Sequence, residues 1–111
     1  MQIAIVGRPG VVVAWRAATD RELATIDWGA DYTIALARLD DRNLVFGWIG
    51  TVCDLQATLT IEPESLVVTP APRKGCDALA VGRGLVLTYA GPVDPRAIDV
   101  TLGEQVLLPE P

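Results

Sequence analysis

Alternation of apolar and polar side chains over residues 55–62 constrains the fold of this chain more than any other feature of its sequence. The apolar positions are Leu55, Ala57, Leu59 and Ile61, and the polar ones are Gln56, Thr58, Thr60 and Glu62. Successive side chains of a β-strand point to opposite faces, so the segment predicts a strand with one buried face. A slip by one residue would expose the whole apolar set, so the alternation also predicts the register of this strand.

A second strand follows at once and predicts a β-hairpin. Pro63-Glu64-Ser65 is a turn signal, and Leu66–Thr69 is rich in β-branched residues that favour strands. Pairing Ile61 with Leu66 also pairs Leu59 with Val68, so apolar side chains face each other across the hairpin.

The same register predicts a disulfide between Cys53 and Cys76. Counting back along the hairpin puts Cys53 opposite Lys74, two residues from Cys76. Closing a loop of roughly 24 residues would stabilise the fold by about 3 kcal/mol in the chain-entropy model. The alternative is a pair of reduced, buried cysteines acting as small apolar side chains. The chain has no C-x-x-C motif for redox activity, and it has too few ligands for a cysteine zinc site.

Short strand-like segments recur along the rest of the chain, broken by 8 prolines and 10 glycines. Their spacing of roughly ten residues predicts one all-β domain over residues 1–111. We expect a β-sandwich of the Ig-like or Greek-key type, with about eight or nine short antiparallel strands. A small β-barrel is the alternative.

Several segments carry more specific expectations. Gln2–Val6 and Val11–Ala17, joined by Gly7-Arg8-Pro9-Gly10, predict a hairpin with a type II turn, buried on both faces or central in its sheet. Thr19 to Glu22 matches a capping box and predicts a short helix near residues 20–25, with a polar loop as the alternative.

Five further strand segments are predicted nearer the middle and end of the chain. Residues 32–39 and 44–49 predict a hairpin around Asp40–Asn43, although the first arm also contains good helix formers. Residues 85–90 and 97–102 predict two more strands, and 105–108 predicts a last edge strand.

The composition gives little support for catalysis. We therefore expect that the protein is not an enzyme and binds no cofactor. The chain has no histidine, which removes the usual general base and the histidine-dependent triads. Its one serine, Ser65, lies in a turn, and Gly82-Arg83-Gly84 lacks the remainder of a nucleotide-binding motif.

Metal binding is likewise not predicted, although calcium is the ion that an acidic β-domain without histidine could hold most readily. The candidate ligands are Asp27, Asp31, Asp40 and Asp41, which lie in two loops. They do not form a D-x-D-x-D-G loop, and acidic residues are common in turns without any metal.

The candidate binding surface consists of loop residues, because loops on a rigid scaffold concentrate binding groups. Trp28, Arg73 and Arg96 represent the loops 27–31, 73–75 and 91–96. Trp28 lies in a turn and is expected to be exposed, whereas Trp15 and Trp48 lie in apolar strands and are expected in the core.

These observations predict a non-catalytic binding module outside the cytoplasm, whose partner is a protein or a component of the cell envelope. A carbohydrate-binding module using Trp28 is one alternative, and a cytosolic subunit or regulatory domain with reduced cysteines is another. A net charge of −5 without a basic run argues against nucleic acid, and no segment reaches the length of a membrane span. The first apolar run is too short for a signal peptide, so this interpretation needs an export signal or anchor outside the chain.

Overall fold

Two four-stranded β-sheets pack against each other to form the protein. The computed structural model describes residues 2–7, 11–28, 33–76 and 79–106. The elements are β1 (Gln2–Gly7), β2 (Val12–Ala17), α1 (Asp20–Leu23), β3 (Ile34–Arg38), β4 (Asn43–Thr51), β5 (Asp54–Glu62), β6 (Ser65–Pro72), β7 (Ala80–Tyr89), a 3₁₀ turn (Pro95–Ala97) and β8 (Asp99–Leu102). The strand order is β1-β5-β6-β8 in the first sheet and β2-β7-β4-β3 in the second. The two sheets stay separate, so the predicted all-β sandwich is confirmed and the barrel alternative is wrong.

The β5–β6 hairpin has the register that the alternation predicts. Ile61 lies opposite Leu66, and Leu59 lies opposite Val68. All four side chains are buried in the core between the sheets. The predicted register is therefore confirmed from the turn as far as the pair of Gln56 and Ala71.

A β-bulge changes the register at the other end of this hairpin. Leu55 is the extra residue, because Gln56 pairs with Ala71 while Asp54 pairs with Pro72. The expectation that Leu55 shares the buried face of Ala57 is wrong, since Leu55 is 48% exposed. The bulge turns Asp54 inwards instead, and the buried carboxylate accepts hydrogen bonds from the backbone N–H and hydroxyl of Thr51.

The predicted hairpin of the first two strands is wrong. β1 pairs in parallel with β5, whereas β2 pairs with β7 in the other sheet. Both are edge strands rather than central ones, and Val6, Val13 and Trp15 are exposed. Because the two strands separate, both β5 and β7 have a second neighbouring strand, whereas a local hairpin could lie beside only one of them. Residues 8–10 of the expected turn lie outside the described residues.

The sequence led us to expect only antiparallel strand pairs, but two of the described pairs are parallel. β1–β5 and β6–β8 are parallel, and the other described pairs are antiparallel. Parallel neighbours require connections that leave the sheet and return. The β6–β8 connection does this by passing through β7 in the opposite sheet.

The remaining predicted elements are mostly confirmed, with shifted ends. The β3–β4 hairpin forms around residues 39–42, and the capping box of Thr19 and Glu22 starts α1. β7 begins five residues before the predicted strand at 85, and β8 begins after the 3₁₀ turn. Gln105 and Val106 are not in a strand, and the rest of that prediction lies outside the described residues.

The core lies between the sheets and has β4 at its centre. Leu44, Phe46 and Trp48 face inwards from β4 and pack with Leu59 and Leu87. The opposite face of β4 is covered by the segment around α1, where Ile26, Ala35 and Val45 form a second cluster. β4 is therefore the strand that is buried on both faces, the environment that the sequence had suggested for β1 and β2.

Candidate functional site

The three predicted surface residues do not form one site. Arg73 lies at the end of β6, where its backbone N–H bonds to the carbonyl oxygen of Cys53. Arg96 lies at the other end of the sandwich, three residues before Asp99, which pairs with Ser65 at the start of β6. The eight residues of β6 separate the two arginines by about 26 Å at roughly 3.3 Å per residue.

Trp28 lies on the outer face of the second sheet, away from both arginines. Its side chain packs against the cluster of Ile26, Ala35 and Val45, and its six-membered ring lies over Gly47. It is half-buried rather than exposed. Trp15 is the aromatic side chain that β2 leaves exposed, at 48%, while Trp48 is in the core as expected.

The cysteines meet at the end of the hairpin where they were predicted. Cys53 and Cys76 are at disulfide distance, and their Cα atoms are 6.0 Å apart. The bulge at Leu55 places Cys53 opposite Arg73 rather than Lys74, which brings it one residue further from Cys76 along β6. The turn at Lys74 and Gly75, where Gly75 has a φ of +78°, brings the chain back towards Cys53.

The described acidic loop residues Asp40 and Asp41 make hydrogen bonds and an ion pair around their own turn. One carboxylate oxygen of Asp40 accepts hydrogen bonds from the backbone N–H groups of Arg42 and Asn43, and these bonds lower the pKa of Asp40. Asp41 lies 3.8 Å from Arg38. Within the described residues no three acidic or cysteine side chains form a group that could hold a metal ion. Asp31 and part of the loop 27–31 lie outside the described residues.

A shallow depression beside the same turn is held together by internal bonds. It has a volume of about 570 Å³ and is lined by residues 40–43 and Thr88. Asn43 donates to Asp40 and accepts from the hydroxyl of Thr88 at 2.6 Å. These polar groups already satisfy one another, so the depression offers little for a ligand to bind.

The first part of β7 pairs with β4 on one side but with no described strand on the other, and this is the most distinctive surface feature of the described sandwich. β7 has ten residues, but β2 lies opposite only its last five, Leu85–Tyr89. β2 then ends at Ala17, and the backbone N–H of Ala18 donates to the carbonyl oxygen of Gly84 at 2.9 Å. We call the preceding segment, Ala80–Arg83, the β7 notch, because no described strand pairs with it on the side away from β4.

Backbone groups at the notch point towards the vacant side. The carbonyl of Gly84 faces away from β4, since it bonds to Ala18. Backbone groups alternate in direction along a strand, so those of Ala80 and Gly82 face the same way as Gly84. Ala80 and Gly82 are both exposed, and a side chain added at Gly82 would meet nothing within 4 Å. A strand edge with these properties is a template for pairing with another chain.

A cleft of about 250 Å³ lies beside the notch, at the point where β2 ends. Ile3 and Leu85 line it from the side of the core, and Leu23 and Asp20 line it from α1. β3 and β8 are in contact at one side of the sandwich, so β1 and β2 lie together at the other side. The cleft is therefore the opening between the two sheets at their unclosed edge.

Arg83 is the charged residue of the notch. It lies opposite Trp48 in the β4–β7 ladder and thus points to the inner side of its sheet. Its guanidinium donates to the carbonyl oxygen of Thr51 at 3.0 Å, but its Nε is buried and has no hydrogen-bond partner within the described chain. The glycines on either side, Gly82 and Gly84, are a sequence signal for close approach of another backbone. From the sequence we interpret this tripeptide only as an incomplete nucleotide-binding motif.

Comparisons with known proteins identify no relative: no family model, no curated protein and no solved structure matches this chain. None of the helices in the described part of the chain is long and apolar enough to cross a membrane. The function must therefore be argued from the geometry of the chain.

Proposed function

We propose that the protein is a non-catalytic binding module that works outside the cytoplasm and holds an extended segment of a partner protein along the β7 notch. The observation that carries the proposal is the length difference between β7 and β2, which leaves Ala80 and Gly82 with backbone groups facing an open edge. An added strand obtains affinity from main-chain hydrogen bonds and specificity from alternate side chains. Four residues of strand span about 13 Å, enough for a short peptide segment.

The surroundings of the notch suit such a partner. Leu79, just before β7, is 71% exposed, and its carbonyl oxygen accepts a hydrogen bond from Val52, which is also exposed. Leu55 adds a third exposed apolar side chain at the same end of the sandwich. Apolar side chains around a strand edge favour protein contacts over a purely solvated surface.

The proposed location rests on the cysteine pair. A bond between Cys53 and Cys76 would persist in an oxidising compartment and would be reduced in most cytosols. Counting free thiols in protein isolated from its natural source separates the two locations. We expect no free thiol, whereas two would favour the alternative of a cytosolic subunit.

Carbohydrate binding through Trp28 is less well supported. A sugar platform needs an open aromatic face, but Trp28 is half-buried over Gly47. A glycan array probed with the whole protein tests this alternative, and we expect no signal that depends on Trp28.

Two variants at Gly82 test the strand-addition proposal. Gly82→Pro removes the N–H group that faces the open edge, whereas Gly82→Ala keeps it and fits the empty space around this residue. A displayed library of random nine-residue peptides is the probe. We expect peptides selected on the natural protein to bind Gly82→Ala with similar affinity and Gly82→Pro at least about tenfold more weakly, a loss of roughly 1.4 kcal/mol. Equal binding to all three proteins would contradict the proposal.

A further inference from the structure

Arg83 carries a charge that no acidic side chain in the described residues neutralises by an ion pair. Of the donors on its guanidinium, one bonds to Thr51 and the buried Nε bonds to nothing in the described chain. An unsatisfied buried donor on a charged group costs more free energy than a neutral one. Arg83 also lines the cleft, so an acidic ligand bound there could neutralise its charge.

Two described carboxylates beside the cleft or Thr51 do not fill this role. Asp54 also lies over Gly50, but its oxygens accept from the backbone N–H and hydroxyl of Thr51 at 3.0 and 3.1 Å. Asp20 lines the same cleft from the first turn of α1 and is exposed. Neither comes within ion-pair distance of Arg83.

Charge is also distributed unevenly between the ends of the sandwich. Arg73 and Lys74 lie at the end where the notch begins, next to the cysteine pair. Six acidic residues lie in or beside the turns at the opposite end, together with three arginines: Asp40, Asp41, Glu62, Glu64, Asp94 and Asp99, with Arg38, Arg42 and Arg96. Acidic residues still outnumber basic ones at that end, so an acidic segment is repelled more there than at the notch end, where Arg73, Lys74 and Arg83 lie.

The register of an added strand then fixes where its charge must lie. Residues directly opposite each other in neighbouring strands share a face, so the partner residue opposite Arg83 points into the cleft. The partner residue opposite Val81, two positions away, points to the same side, where Val81 is half-buried. On the outer face of the sheet, Leu23 occupies the space over Gly84, whereas the space over Gly82 is open.

We propose that the β7 notch selects an extended protein segment with an acidic side chain opposite Arg83 and an apolar side chain two residues away. The acidic group pairs with the guanidinium of Arg83, which lines the cleft. The apolar group covers Val81 at the edge of the cleft. This inference rests on the proposed strand addition at the notch and adds the chemistry of the partner.

Selected peptides from the nine-residue library provide the test. We expect enrichment of Asp or Glu at one position with an apolar residue two positions away. Arg83→Gln should bind such a peptide about tenfold more weakly or worse, and replacing the acidic residue by Asn or Gln should have no further effect on that variant. Arg83→Lys keeps the charge and should restore part of the affinity. Thermal melting of each variant confirms that it is folded.

The outcomes separate the two proposals. Peptides that lose affinity for Gly82→Pro but show no acidic preference would overturn the inference about Arg83 while strand addition stands. Peptides whose affinity depends on a free C-terminal carboxylate, rather than on an acidic side chain, would also overturn it. Binding that is indifferent to Gly82→Pro would overturn strand addition itself.

Discussion

Ala18 donates its backbone N–H to the carbonyl oxygen of Gly84, and this bond marks the last point at which the chain following β2 stays beside β7. The chain then turns into α1, which the capping box of Thr19 and Glu22 starts one residue later. Leu23 of α1 lies over Gly84, where any side chain would collide with it. The capping box thus ends β2 early, so that no described strand lies beside the start of β7 on the side away from β4.

Reduction of the disulfide should destabilise the protein by about 2–4 kcal/mol in free energy of unfolding. The expected cause is the greater conformational freedom of the unfolded chain once residues 53 and 76 are no longer joined. Urea unfolding with and without reductant measures the difference, and the chain's two cysteines make this bond the reductant's target. The Cys53→Ala/Cys76→Ala variant should be insensitive to reductant. An unchanged midpoint for the natural protein would contradict a formed disulfide.

Leu55 and Leu59 should differ sharply when each is replaced by alanine. Leu59 is fully buried, so its replacement should cost about 2–5 kcal/mol by loss of burial and creation of a cavity. Leu55 is the bulged, exposed residue, so its replacement should change the unfolding free energy by less than about 0.5 kcal/mol. Denaturant unfolding of both variants tests the bulge. Equally large losses of unfolding free energy in both variants would mean that Leu55 is buried, as the unbroken alternation predicts, and would contradict the bulge.

Stability should fall in acid partly because of Glu22. Its carboxylate bonds to Arg16 at 2.6 and 2.7 Å and to the backbone N–H of Thr19, and these bonds lower its pKa from 4.5 to about 2. A pKa lowered by folding stabilises the protein above the unfolded value of 4.5 and loses this effect as the pH falls towards about 2.

Glu22→Gln should therefore flatten the pH dependence of stability in that range. Glutamine can still cap the helix but carries no charge. Glu64→Gln is the control, because the carboxylate of Glu64 makes no ion pair in the described chain and its side chain is exposed. Thermal melting across the acidic range should show the full slope for the control. The same slope in Glu22→Gln would mean that this carboxylate is not specially bound.

Tyr89→Phe should stabilise the protein by about 1 kcal/mol. The hydroxyl of Tyr89 is buried without a hydrogen-bond partner in the described chain, and burial raises its pKa to about 12. Phenylalanine keeps the ring in the core and removes the unsatisfied polar group. Chemical unfolding measures the change, and a clear loss of stability would reveal a partner for the hydroxyl.

The sequence patterns predicted the features that depend on residues close together in the chain. The alternation around Leu59 predicts its buried face and its pairing with Val68, because one buried face permits only one register. The capping box of Thr19 and Glu22 predicts α1 for the same kind of reason, since both bonds lie within four residues.

The sequence patterns did not predict the features that depend on contacts between distant parts of the chain. The pairing of β1 with β5 depends on which strand lacks a neighbour, which no single segment specifies. The bulge at Leu55 depends on hydrogen bonds between Asp54 and Thr51 across a turn. The notch depends on the difference in length between β2 and β7, so loop residues such as Arg73 and Arg96 were predicted in its place.

Amide hydrogen exchange at Gly82 tests the central claim most directly. In the free protein we expect the Gly82 amide to exchange quickly, while that of Arg83, which faces β4, is protected. A bound peptide from the nine-residue library should slow exchange at Gly82 and leave Arg83 as it was, because a new strand covers only the open edge. A Gly82 amide already protected in the free protein, or one that stays fast at saturation, would contradict strand addition at the β7 notch.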